Sequence, residues 1–327
     1  MKIVKTAIWL WIVPVALMAA VIALPAWSYL TEFDNSSFVP GNPDHWSISV
    51  VHYRLNPTSA GANIHDQGTT SVATVIQNSF ATWTSVANVG ISVSRDADDT
   101  LTSPTTSENL IAFACNGSNC DFNTDGTLAI TITNTNNADV ITNANIFFNQ
   151  TQSFTTVHGN ANTFQDLQTV ATHEIGHFFG MDHTGVVAGM MFPIAPTLQT
   201  QISDDDVAGI TSIYPTTSDG GTPHCPPGTA RISGHVTLNS AAVFGAHVFA
   251  EPVSAPGFGG PIRKSPIGTL SLPDGTYQIA CMPPGSYVVV AEPLDGPVSD
   301  SDVSWAGSGG VFTSKSAVQT NFTTRWH

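Results

Sequence analysis

Positive charge is scarce in this sequence. Nine Lys and Arg stand against 24 Asp and Glu in 327 residues, a formal net charge of −15. A surface of that sign repels phosphate backbones and argues against nucleic acid as a partner. It fits an exported protein that its own charge keeps soluble. Cysteine is scarce too: only Cys115, Cys120, Cys225 and Cys281 occur, and no two have CxxC spacing. That argues against a thiolate zinc site and fits two disulfides in an oxidising compartment. Proximity pairs Cys115 with Cys120 and Cys225 with Cys281. There is no short-period repeat and no long run of one charge, which excludes solenoids and charged tails. Beyond residue 28 no segment is apolar enough to span a bilayer.

The one long apolar run, residues 6–27, follows Lys2 and Lys5 and contains Pro14 and Pro25. Ala26 and Ser28 place small residues where a signal peptidase needs them, so residues 1–28 read as a signal peptide and the protein as secreted. The alternative is an uncleaved anchor made of residues 6–27, the only route to a membrane.

After a polar lead, WSISVVHYRLNP from Trp46 reads as a strand. Val72, Val75, Ile76, Phe80, Trp83 and Val86 recur at helical spacing and predict an amphipathic helix over residues 70–87. GISVSRD, TLAITIT and ANIFFN read as further strands. A second helix is expected over residues 163–179 with Asp166 in its first turn. A third is expected over residues 203–214 with Ser203 as its N-cap. Asp204, Asp205 and Asp206 suit the positive end of that helix, and capping is preferred to calcium binding. Residues 215–229 are rich in Pro, Gly, Ser and Thr, as a linker is. Beyond them come only strands and turns, the pattern of a small all-β sandwich. The fold class is α+β. Residues 29–215 form one domain, 216–228 a linker, and 229–327 the sandwich with a polar tail.

The chemistry concentrates in HEIGHFFGMDH, from His173 to His183. Four residues turn a helix by about 400°, so His173 and His177 point the same way one turn apart and can grip one metal ion. Glu174 lies about 100° around from His173 and can reach a water on that ion without becoming a ligand. Gly180 can adopt the left-handed conformation that ends a helix, after which the chain turns and returns His183 as a third ligand. Three neutral nitrogens leave one tetrahedral position of Zn²⁺ open, the mark of a catalytic site. His158, upstream, reads as a loop histidine without a role.

VATHEIGHFFGMDHT, GMMFP and ISDDDVAGITSIYP together resemble a metzincin, and within that clan a matrixin, the matrix-metalloproteinase-like family. The resemblance covers about residues 45–215. It implies a twisted, mostly parallel sheet with three helices and a single catalytic zinc. It also implies that Met191, rather than its neighbour Met190, forms the Met-turn floor beneath the metal. Phe192 and Pro193 would begin the wall of the substrate pocket. Pro193 stands where astacins and serralysins carry a ligating tyrosine, so no tyrosine ligand is expected. Thr184 follows the third histidine where matrixins usually have serine. No cysteine precedes the domain, so the thiol latch of animal matrixins is absent, and the lead is short for their propeptide. No motif for structural zinc or calcium is evident, so Ca²⁺ is left without support.

VFGAHVFAEP and DGTYQIACMPPGSYVVVAEP resemble the transthyretin-like sandwich of carboxypeptidase regulatory domains. Tyr277, Ile279 and Cys281 are expected on one face of a strand. The whole chain reads as a secreted, monomeric zinc endopeptidase acting on protein or peptide. In this reading His173, His177 and His183 bind the metal and Glu174 is the general base. The alternative is a zinc-containing, non-catalytic binding or adhesion protein that works through its carboxy-terminal sandwich.

Overall fold

The computed structural model describes residues 31, 43–65, 70–116, 122, 126–159, 164–194, 198–216, 224–253, 265–295 and 318–326. The expected signal peptide, most of the expected linker and Cys120 lie outside the described residues. Among the described residues no helix is long and apolar enough to cross a membrane.

The chain runs through β1 (Val50–Leu55), a 3₁₀ turn (Pro57–Asn63), β2 (Ile64–His65), α1 (Val72–Thr84), β3 (Ser92–Arg95) and β4 (Leu110–Ala112). It continues through β5 (Ala129–Thr135), β6 (Ile141–Phe148), β7 (Phe154–Thr155), β8 (Gln165–Asp166), α2 (Leu167–Phe178) and α3 (Asp204–Ile213). The main sheet has the order β3-β1-β4-β6-β5. Its first four strands are parallel, and β5 joins its edge antiparallel to β6. Strands β2, β7 and β8 form a small parallel sheet of their own. A mostly parallel sheet with three helices therefore stands as expected.

Helix α1 starts where the Ser71 side chain accepts the N–H of Thr74. Val72, Val75, Ile76, Phe80 and Trp83 form its buried face, while Val86 lies past its end and is half-buried. That face packs on α2 and on the sheet. Phe80 sits edge-on to Phe178 with ring centroids 5.3 Å apart and meets Tyr53 of β1 at 4.5 Å. The fully buried Trp83 donates its indole N–H to the Thr172 carbonyl at 2.8 Å, so the core side chain of α1 also fixes the height of α2.

Two differences from the sequence reading have clear causes. Helix α2 begins at Leu167, and Asp166 is its N-cap rather than a member of its first turn. The Asp166 carboxylate accepts the N–H of Thr169 at 2.8 Å, and Gln165 and Asp166 pair as β8 instead of coiling. Strand β4 was not foreseen. Its three residues are all buried between β1 and β6, so they show no alternation to read.

The remaining strands are β9 (Ala230–His235), β10 (Thr237–Leu238), β11 (Ala241–Ala242), β12 (His247–Pro252), β13 (Ile267–Leu270), β14 (Thr276–Met282), β15 (Tyr287–Glu292) and β16 (Arg325–Trp326). They form a sheet of order β13-β12-β15-β16 and two pairs, β14-β9 and β10-β11, loosely the all-β arrangement expected. Val248, Ala250, Ile267, Ile279 and Met282 build a second core, which Ala208 of α3 also joins. Cys225 and Cys281 are disulfide-bonded, as proximity suggested, and Cys115 is also in a disulfide. The expected alternation along β14 fails. Its ladder with β9 shifts register between Ile279 and Met282, and Cys281 takes a positive φ of 52°. Ile279, Ala280, Cys281 and Met282 are then all buried in succession. Part of the expected polar tail is structural, since β16 pairs Val290 with Trp326 and Ala291 with Arg325.

Trp83→Ala should cost about 3–5 kcal/mol of stability, because it empties core volume and removes the indole bond to the Thr172 carbonyl. Urea unfolding measures it, and an unchanged midpoint would contradict the packing described.

Candidate metal centre

Helix α2 carries His173 and His177, and Gly180 ends its path. Gly180 has φ +85°, and its N–H donates to the His177 carbonyl at 2.8 Å. A side chain there would also run into the Asp44 carbonyl, so both conformation and space call for glycine. The chain reverses, and His183 returns to the helix. The three rings lie 5.0, 5.2 and 4.9 Å apart between centroids, and one nitrogen from each falls within 4.8 Å of the others.

Hydrogen bonds fix which nitrogens face that common point. His173 Nδ1 lies 2.7 Å from the Met190 carbonyl, and His177 Nδ1 lies 2.8 Å from the Met181 carbonyl. A carbonyl only accepts, so each Nδ1 carries the proton and each Nε2 keeps its lone pair. His173 Nε2 and His183 Nε2 are 3.3 Å apart. Burial, helped by the imidazoles of His177 and His183, holds the His173 pKa well below its ordinary value, so the ring is neutral. Neutral imidazoles with oriented Nε2 atoms are the donor set Zn²⁺ takes, and these residues fit it. Among the described residues this is the one group of three or more His, Cys, Asp or Glu placed to hold a metal ion, and calcium gains no support.

The segment after His183 folds back under the helix. Thr184 donates its N–H to the Met191 carbonyl at 2.9 Å. Met190 and Met191 are both fully buried. Met191 packs its sulfur against Gly176, where a Cβ would collide with it, while Met190 contributes the carbonyl that orients His173. Phe192 is buried and Pro193 half-buried at the exit of this turn.

Sequence reasoning assigned Asp206 to helix capping, and it does cap. Its carboxylate accepts from the Ser203 backbone and hydroxyl, each at 2.7 Å. It also receives the N–H of Met190 at 2.7 Å and of Met191 at 3.2 Å, which no local pattern announces. Asp205 beside it is fully buried. Desolvation first, and then the charge of Asp206, push its carboxyl up from 3.8 to about 8. Burial raises Asp206 as well, but the hydrogen bonds it accepts favour its charged form, so the proton of this pair resides on Asp205.

Glu174 is buried next to the histidines. Its Oε2 accepts a hydrogen bond from the Thr131 hydroxyl at 2.6 Å. Thr131 lies on the edge strand β5, and the sequence reading did not single it out. His158 is not idle either, with Nδ1 2.9 Å from Asp166 Oδ2 at the start of α2.

A helix that presents two histidines, a glycine turn that returns a third, and an edge strand against the intervening glutamate define a metalloprotease-type centre. The chain belongs to the matrixin family, whose sequence profile matches residues 45–215. It is similar to Metalloendoproteinase 1-MMP of Arabidopsis thaliana, 26% identical over 183 residues, 54% of this chain and 46% of that protein. It is also similar to Karilysin of Tannerella forsythia, 39% identical over 49 residues, 15% of this chain and 10% of that one. Metalloendoproteinase 1 of Glycine max is 39% identical over 51 residues, 15% of this chain and 17% of that protein. In each case the match spans less than half the length of the relative.

The pH dependence of stability should reflect Asp205. A carboxyl raised in the folded state favours folding fully below about pH 4, and that contribution is lost as pH rises toward about 8. Asp205→Asn keeps an oxygen for its N–H donor and cannot ionise. Its melting temperature should therefore gain on the parent's as pH goes from about 5 to 9. A difference that stays flat over that range would contradict a protonated Asp205.

Proposed function

We propose that this chain is a secreted zinc-dependent endopeptidase, formed by a protease domain over residues 29–215 and a β-sandwich over residues 229–327. The observation that carries the reading is the convergence of three histidines beside a buried glutamate. His173, His177 and His183 would hold Zn²⁺ through Nε2. When bound, the ion supplies a Lewis acid that makes water nucleophilic near neutral pH and polarises a peptide carbonyl.

The protein's own residues supply the rest. Glu174 takes the proton of the attacking water and gives it to the departing amine nitrogen, so a single carboxylate serves both halves of the cleavage. Thr131 holds Oε2 of Glu174 with its hydroxyl and so limits the orientations that carboxylate can take. Strand β5 ends the sheet, and its outer edge offers main-chain groups to which an extended peptide can add as a further strand. Met191 closes the floor of the site, and Phe192 and Pro193 begin the wall that receives a substrate side chain. The 1–28 segment serves as the export signal, which accords with an acidic chain in which Cys115, Cys225 and Cys281 are disulfide-bonded.

Glu174→Ala should keep bound zinc and lose about 10²–10⁴-fold in peptide cleavage. Retained turnover with zinc in place would sink the assignment. Thr131→Val should lower kcat with little change in KM, and Thr131→Ser should restore it. A loss confined to KM would place Thr131 in substrate binding instead.

A further inference from the structure

His173 and His177 share one helix and need little help to stay aligned. His183 sits on a loop, and a loop ligand binds well only if something fixes the loop. The described contacts show what does. Asp205 accepts the backbone N–H of Gly268 in β13 at 2.8 Å and is hydrogen-bonded by the side chain of Thr184, the residue after His183. Asp204 and Ser265 exchange two hydrogen bonds. The Asp204 N–H reaches Ser265 Oγ at 2.7 Å, and the Ser265 N–H reaches Asp204 Oδ2 at 2.8 Å.

Packing completes the contact. The His247 ring of β12 is 4% exposed and tied through Nδ1 to Glu292 at 3.0 Å. It lies against two glycines. A Cβ on Gly185 would come within 2.9 Å of the ring, and a Cβ on Gly268 within 2.8 Å of both His247 Nε2 and Val186 Cγ2. Glycine at both positions lets β12 and β13 close directly on residues 185 and 186, and Ala208 of α3 enters the second core. A module hung on a linker to bind something elsewhere would have no use for buried carboxylate contacts to the metal-site loop.

We propose that the carboxy-terminal β strands belong to the metal centre: β12 and β13 clamp the His183–Met191 loop and the start of α3, and thereby position His183 for metal binding. The inference rests on the reading of His183 as a zinc ligand. Ser265, His247 and Gly268 act through Asp204, Asp205, Gly185 and Val186, so they are positioning residues and touch neither metal nor substrate.

The test uses the full chain and zinc itself. Gly268→Val should push His247 and Val186 apart and weaken zinc binding by roughly tenfold in competition with a chelator, with secondary structure retained. A folded Gly268→Val chain with the parent's zinc affinity would overturn the proposal. If that variant does not fold, calorimetry of the parent decides. Zinc should raise a single transition that includes the β strands, whereas two transitions with zinc raising only one would overturn the clamp. A parent that binds no zinc overturns both this inference and the peptidase reading. Coupling found as stated, with no cleavage of any peptide, would remove the peptidase reading alone.

Discussion

The main chain of Met190 is the joint on which the candidate metal centre depends. Its carbonyl accepts the Nδ1 proton of His173, and its N–H is held by the buried carboxylate of Asp206. One residue thereby fixes the tautomer of a ligand on α2 and the position of α3 relative to it. Asp206 is in turn fixed by Ser203, with which it closes a reciprocal cap at the start of α3. The orientation of His173 therefore traces back to the N-cap of the next helix, at Ser203. Apolar burial alone cannot do this, because it is non-directional, and a metal ligand has to point.

The electrostatics follow from the same arrangement. Although the chain as a whole is strongly acidic, the buried His173 is neutral, and the Nδ1 protons of His173 and His177 are held by backbone carbonyls. The acids next to the site are sorted by their partners. Asp206 has enough donors to remain charged, Asp205 keeps a proton, and Glu174 has the Thr131 hydroxyl on one oxygen. Burial raises both adjacent aspartates, and the hydrogen bonds that Asp206 accepts make it the one of the two that favours the charged form.

Much of this was legible in the sequence, for particular reasons. The i, i+4 histidines, Gly180 and His183 lie within eleven residues, and helix geometry with one glycine turn is enough to suggest that they meet. The buried face of α1 could be read because five apolar residues share one period. The pairing of Cys225 with Cys281 followed from proximity among four cysteines. What escaped was non-local or unpatterned. Strand β4 is short and buried on both faces. Thr131 reaches Glu174 across 43 positions of sequence, and Asp206 reaches Met190 across 16. The contact of Gly268 with Asp205 spans 63, and a glycine carries no side-chain signal of what will close on it. The alternation expected of β14 broke at a bulge that places Cys281 at positive φ, a backbone irregularity that no apolar periodicity encodes.

The central claim is that the three imidazoles of His173, His177 and His183 hold one zinc ion. Metal analysis of the full chain, combined with X-ray absorption at the zinc edge, tests it most directly. The account predicts one zinc per chain with a shell of nitrogen ligands at about 2.0–2.1 Å and no sulfur. A folded chain without stoichiometric zinc, or a shell containing sulfur at about 2.3 Å, would contradict it.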